Sequence, residues 1–303
     1  MEASSQNQSR LGLFLLAGFS VALSHITFLF GGIPLRLLFI RAGSARYWLI
    51  SSFLSISLLA LGSTYAPLGM LFFSLVTLIG VYSEAEQRFK LDRFLASLIS
   101  VIASSGLILG FLLVWREMSD QSLTELVKAQ VAQVVAMVNN PEANKEELSS
   151  LLFKISPSLV INVLFSALAL SFVYERVWLK GKKVLEFGKL ENLLEFKVPD
   201  HLVWPSCGLA LGAFTDLTAG LPIAQGFCLN GFIVFAGLYF FQGLAITIQI
   251  MRSLKFAGFI QALMLVLLIG QAYFLSFIGF IDLWFDFRGR LKKTAEEKKL
   301  KSK

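Results

Sequence analysis

The chain has 303 residues, 56% of them hydrophobic and 16% charged, where an ordinary soluble domain is roughly a quarter charged. That balance excludes a water-soluble globular fold, because the apolar residues come in long uninterrupted blocks rather than at the spacing of one buried face. The net charge of +7 sits in Lys and Arg placed between and after these blocks, which argues against nucleic acid and for anionic lipid headgroups as the partner.

A membrane span needs about 20 apolar residues. Residues 11–35 form the first such block, with His25 as its only titratable group. It follows a polar stretch carrying Arg10 and has no small-residue cleavage pattern, so a retained helix is expected. Gly31-Gly32-Ile33-Pro34 either ends this helix or breaks it, in which case residues 34–40 return as a half-helix. Arg36, Arg41, Gly43 and Arg46 read as a basic connector at a membrane face. The next apolar run, 47–82, is too long for one helix, and Gly62 with Pro67 marks its break. A charged connector at 84–93 precedes a span at 94–115.

From 116 to 155 the character changes to a polar, acidic insert outside the membrane core. Ser122-x-x-Glu125 reads as a capping box, and Leu123, Leu126, Val127, Val131, Val134 and Val138 form a stripe at helical spacing that stops at Asn139-Asn140-Pro141. A second short helix is expected from Asn144, paired with Glu147, to the stop at Pro157. A span at 158–179 follows, then a basic interfacial connector (Arg176, Lys180, Lys182, Lys183, Lys189, Lys197). Further blocks run over 202–221, 223–250 and 256–281, and a basic tail occupies 283–303.

The reading is thus an all-α, polytopic transmembrane bundle of seven or eight apolar spans in one integral membrane domain, with a small extramembrane helical insert. Basic connectors at 36–46, 84–93, 174–200 and 251–256 belong on the cytoplasmic side and the insert outside. The basic tail should be cytoplasmic too, which one span over 256–281 forbids. A break at Gly270-Gln271, making a re-entrant pair of short helices, restores parity.

The order of features resembles the YybS-like family of bacterial membrane proteins, which looks related to the substrate-binding subunits of energy-coupling-factor vitamin transporters. The residues that carry the likeness are Pro34 with Arg41-x-Gly43, the insert ending at Pro157, Val198-Pro199, Asn230, Gln242-Gly243-Leu244-Ala245 and the closing Gly279-x-x-Asp282-x-Trp284-x-x-x-Arg288. The resemblance implies a multi-pass protein of the bacterial inner membrane that binds a small molecule and has no ATPase of its own. It also implies that a small-residue face on the first helix, Gly18 and Ala22, docks on a membrane-protein partner.

No hydrolase, kinase or phosphate-loop signature occurs, and Cys207 and Cys228 lack histidine or cysteine partners at ligand spacing, so no catalysis, metal or cofactor is expected. Polar groups inside spans carry the remaining signal. Asn230, Gln242, Gln249 and Gln225 share one block, with Asn162 and His25 elsewhere, and either bind a ligand or bridge helices. Asp216 reads as a solvated helix end. Gly18-x-x-x-Ala22, Gly106-x-x-x-Gly110 and Gly208-x-x-x-Gly212 read as close-packing or partner-docking positions. Two functions are compatible with this pattern: a small-molecule binding and transport subunit, or a membrane scaffold that recruits partners through the insert and tail.

Overall fold

The computed structural model describes residues 2–62, 65–119, 123–137, 144–179, 196–218, 220–254 and 256–290, and all its regular elements are helices. The chain forms two compact units. The first holds residues 1–156 and 160–190; the second holds Pro157–Leu159 and Glu191–Lys303.

In the first unit, α1 (Glu2–Ile26) ends at Thr27, whose extended backbone starts α2 (Phe28–Ala42). Eleven residues of straight helix would span about 16 Å. Ser20 Oγ nevertheless donates to Gly31 O at 2.6 Å, so α2 folds back on α1. The approach is close because Gly31 has no side chain: a Cβ there would lie 1.9 Å from Ser24 Oγ. The break therefore falls before the Gly-Gly-Ile-Pro run, and Pro34 sits inside α2. Gly43, at φ +76°, turns the chain into α3 (Ser44–Ala60). The expected break in the long apolar run is present, with Gly62 at φ +104° and Pro67 in the first turn of α4 (Ala66–Gln87).

Pairings fix the helix directions. Gly31 faces Leu75, Gly32 faces Ile79, and Arg36 meets Ser83 and Glu86, so α2 and α4 run the same way. Ser44 bonds Glu84, Tyr47 bonds Val76 and Gly69 meets Leu59, so α3 runs opposite to α4. After a turn at 88–92, α5 (Arg93–Ser119) packs back along α4, with Ser104 Oγ on Ser74 O at 2.8 Å and Phe111 edge-on to Phe73. The end of α2, the start of α3, the end of α4 and the start of α5 consequently lie together at one end of the unit. The core between them is Leu35, Leu38, Phe39, Tyr47, Phe72, Leu75, Ile79 and Tyr82.

The insert contributes α6 (Leu123–Ala136), with Val131 and Val135 buried and Lys128 over the Phe153 ring. Asn144 caps the next helix as its sequence suggests, its Oδ1 accepting from the backbone of Glu146 and Glu147. Pro157 does not stop that helix: α7 runs unbroken over Lys145–Leu179. The ring removes the donor for Phe153 O, and the neighbouring Ser156 hydroxyl supplies one at 2.9 Å. The Ser122 cap, the Asn139-Asn140-Pro141 stop, Lys180, Lys182, Lys183 and Lys189 of the connector, and residues 291–303 of the tail lie outside the described residues.

The second unit contains α8 (Val203–Phe214), α9 (Pro222–Ser253), α10 (Gly258–Ile269) and α11 (Ala272–Phe285), with 3-10 turns at Asp200–Leu202 and Asp216–Thr218. The break between α10 and α11 falls at Gly270-Gln271, as the charge pattern requires, and bends the pair by 97°. The same separation of 40 residues recurs where Ser276 Oγ donates to Ala236 O and where Gln242 donates to Asp282. Thus α9 and α11 run parallel, and their C-terminal ends, Ser253 and Phe285, point in the same direction.

Among the described residues, four helices are long and apolar enough to cross a membrane (Ala66–Gln87, Arg93–Glu117, Lys145–Phe172 and Pro222–Ser253), or five with the bent α10–α11 pair. The seven or eight apolar blocks of the sequence do not each become a span-length helix. At 1.5 Å per residue, α2, α3 and α8, with 15, 17 and 12 residues, fall short of the roughly 30 Å hydrocarbon layer.

Candidate functional site

Among the described residues, each unit buries ionisable side chains in a polar cluster, Arg36 in the first and Asp282 in the second. In the second unit the cluster gathers the residues that the sequence marks most strongly. Gly243 of α9 and Gly279 of α11 bring the two backbones into contact: a Cβ on Gly243 would lie 1.9 Å from Leu275 O, and one on Gly279 2.0 Å from Tyr239 O. Beside this crossing, Gln242 and Asp282 are 2% and 4% exposed. Gln242 Nε2 donates to both Gly279 O and Asp282 Oδ2 at 3.1 Å, and its Oε1 accepts from Val198 N at 2.7 Å. The other oxygen of Asp282 accepts from Phe287 N at 3.0 Å. Arg288 stands 3.9 Å from the Asp282 carboxylate and donates to Phe196 O at 2.7 Å and to Gln242 O at 3.4 Å. Side chains thereby satisfy the backbone of the non-helical segment that enters α8, a requirement wherever water is excluded. Trp284, by contrast, is exposed and leans on Phe280.

The amides of α9 do not converge on one point. Along α9, Asn230 and Gln242 are about 18 Å apart at helical rise. Asn230 Oδ1 accepts from Ser158 N at 3.0 Å, within Pro157–Leu159, the stretch of α7 that belongs to this unit, and its Nδ2 donates to Gly226 O. Gln249 is half-buried and Gln225 exposed. In the first unit Asn162 is half-buried on α7, and His25 is exposed in the last turn of α1.

The small-residue positions separate in the same way. A Cβ on Gly212 would meet Cys228 Sγ at 2.6 Å, so Gly212 is a contact of α8 with α9. Gly18, Gly106, Gly110 and Gly208 have nothing within 4 Å of a Cβ position, and Ala22 is exposed. Among the described residues, the tightest approaches are instead at Gly31, Gly243 and Gly279, where no four-residue glycine pattern announces them.

Sequence reasoning placed Arg36 in a surface connector; the structure buries it. It is 4% exposed in the middle of α2, forked between Ser83 Oγ and Glu86 Oε2 at 2.6 Å each. Its guanidinium lies 5.3 Å from the Tyr82 ring centre and 5.9 Å from that of Phe172. Glu86 also faces Arg93 Nε at 3.6 Å and accepts from Tyr82 OH at 3.3 Å. The available signal was the apolar run on both sides of Arg36, which continues at helical length to Ile40.

Among the described residues no group of His, Cys, Asp or Glu could hold a metal ion. No curated protein and no solved structure matches the chain. The profile of the family described as "Predicted membrane protein (DUF2232)" matches residues 11–283, from the apolar part of α1 into the last turn of α11. The chain belongs to that family of membrane proteins.

Proposed function

We propose that this protein binds a small molecule inside the membrane and acts as the binding subunit of a transport machinery whose ATPase resides elsewhere. The observation that supports this reading is the broken α1–α2 hairpin. It breaks at Thr27, and its returning half-helix packs along the long apolar helix α4, Gly31 against Leu75, and carries the buried Arg36. Interrupted helices with non-helical backbone at membrane depth are the usual way transporters build sites, and an intramembrane charge is a functional group by default. In this reading the chain is similar to vitamin-transporter binding subunits, resides in the bacterial inner membrane and keeps its tail in the cytoplasm. In it the exposed Gly18 and Ala22 of α1 face a coupling partner, and the shorter apolar helices complete seven or eight membrane elements. The test is a thermal-shift and co-purification screen of the intact protein against vitamins and nucleosides; protein that retains nothing and shifts with nothing overturns it.

A scaffold role is favoured by a different observation: Asn230 and Gln242 spend their amide atoms inside the protein. Deleting residues 122–139 separates the two. Uptake survives the deletion in a transport subunit, and partner capture is lost in a scaffold.

A further inference from the structure

The bond between Ser44 and Glu84 draws the α2–α3 turn against the end of α4, and four exposed cations gather there: Arg41 and Arg46 from the first turn, Arg88 and Lys90 from the turn after α4. The acidic residues of this end are already engaged. Glu84 takes the Ser44 hydroxyl, Glu86 takes Arg36 and Arg93, and Asp92 caps α5 through Leu95 N. None of the four cations has an ion-pair partner among the described residues. Lys90 takes the left-handed conformation, φ +51°, which reverses the chain and leaves Phe89 exposed between the two basic residues.

Directly along α3 from Arg46 run Leu49, Phe53 and Ile56, at the i, i+3, i+7, i+10 spacing of one helix face. They are 71%, 63% and 63% exposed. A cluster of exposed cations that outnumber the carboxylates at this end, above a bare apolar stripe, has the shape and polarity of one molecule, an anionic headgroup with acyl chains below it.

We propose that this end of the first unit binds an acidic phospholipid, its phosphate held by Arg41, Arg46 and Arg88 and its chains laid along Leu49, Phe53 and Ile56.

The test uses the full-length protein. Native mass spectrometry after reconstitution in mixed phosphatidylglycerol and phosphatidylcholine should retain phosphatidylglycerol at least tenfold over phosphatidylcholine. The R41Q/R46Q/R88Q variant should lose that preference, while R252Q, which removes an exposed cation of the other unit, keeps it. Equal retention of the two lipids by the wild type, or unchanged preference in the triple variant, overturns the proposal. A photo-reactive residue in place of Leu49 in the otherwise unaltered protein covers the case of a triple variant that does not fold. It should crosslink phosphatidylglycerol in preference to phosphatidylcholine in an equimolar membrane, and equal yields overturn the site.

Discussion

Gln242 holds Asp282 from within a closed set of bonds: its amide nitrogen reaches the carboxylate at 3.1 Å while its oxygen takes Val198 N at 2.7 Å. Truncation to Ala strands a buried backbone donor and a carboxylate oxygen together. Each unsatisfied buried group costs about 1 to 3 kcal/mol, so Gln242→Ala should destabilise by about 3 kcal/mol or more. Gln225→Ala, exposed near the start of the same helix, should cost under about 1 kcal/mol in the same thermal-unfolding assay in detergent.

The glycine crossing gives a prediction with opposite signs. Gly279→Ala drives a methyl into Tyr239 O, a backbone atom that cannot swing aside, and should cost about 3 kcal/mol. Gly110→Ala places the same methyl in open space in a helix interior and should gain about 0.5 to 1 kcal/mol. Denaturant midpoints of the two purified variants check the contrast. A destabilised Gly110→Ala protein would mean that this glycine meets a second chain.

Arg36 and Glu86 should show strong coupling. Arg36→Met leaves a partly buried carboxylate with its more distant partner Arg93 and should cost about 3 kcal/mol. Arg36→Lys keeps the charge but loses the fork to Ser83 and Glu86 and should cost less, about 1 to 2 kcal/mol. The Arg36→Met, Glu86→Met double variant should be more stable than Arg36→Met alone, which a double-mutant cycle reads directly.

Pro157 is tolerated because Ser156 serves Phe153 O and Asn230 serves Ser158 N. Restoring the helical donor with Pro157→Ala should raise stability by about 1 kcal/mol, a fraction of the roughly 3 kcal/mol an uncompensated internal proline costs. Asn230→Leu should cost about 1 to 2 kcal/mol in the parent and less in the Pro157→Ala background.

The parallel course of α9 and α11 is testable by labelling. In a protein whose Cys207 and Cys228 are replaced by Ser, single cysteines at Arg252 and Arg290 should react with an impermeant maleimide from the same side of sealed vesicles. Labelling from opposite sides would refute the pairing of Ala236 with Ser276 and of Gln242 with Asp282.

Breaks were legible in the sequence where one residue type decides them. Gly62 with Pro67 and Gly270 with Gln271 interrupt the apolar runs where turn chemistry says they should, and Asn144 caps α7 for the reason its side chain predicts. Pro157 misled because its compensation comes partly from Asn230, 72 residues beyond Ser158, which no local pattern exposes. Arg36 misled because a cation between apolar blocks reads as a connector until its partner, Glu86, is brought against it by the hairpin. The closing Gly279, Asp282 and Arg288 stood out as a motif, yet their use could not be read, since Gln242 and the backbone of Phe196 and Val198 complete it from distant parts of the chain. Small-residue spacing marked Gly212, which meets Cys228, while the tightest approaches among the described residues, at Gly31, Gly243 and Gly279, fall outside any such spacing.

The crossing of α9 and α11 also limits how this protein can change. At most helix contacts a larger residue on one side can be offset by a smaller one opposite, so the pair drifts together. Here each glycine presses on main-chain atoms of the facing helix and neither has a side chain left to surrender. No second substitution rescues the first. The two positions therefore form one shared constraint, and any variant that enlarges either must shift one helix away from the other, moving Asp282 and Arg288 relative to the segment they hold.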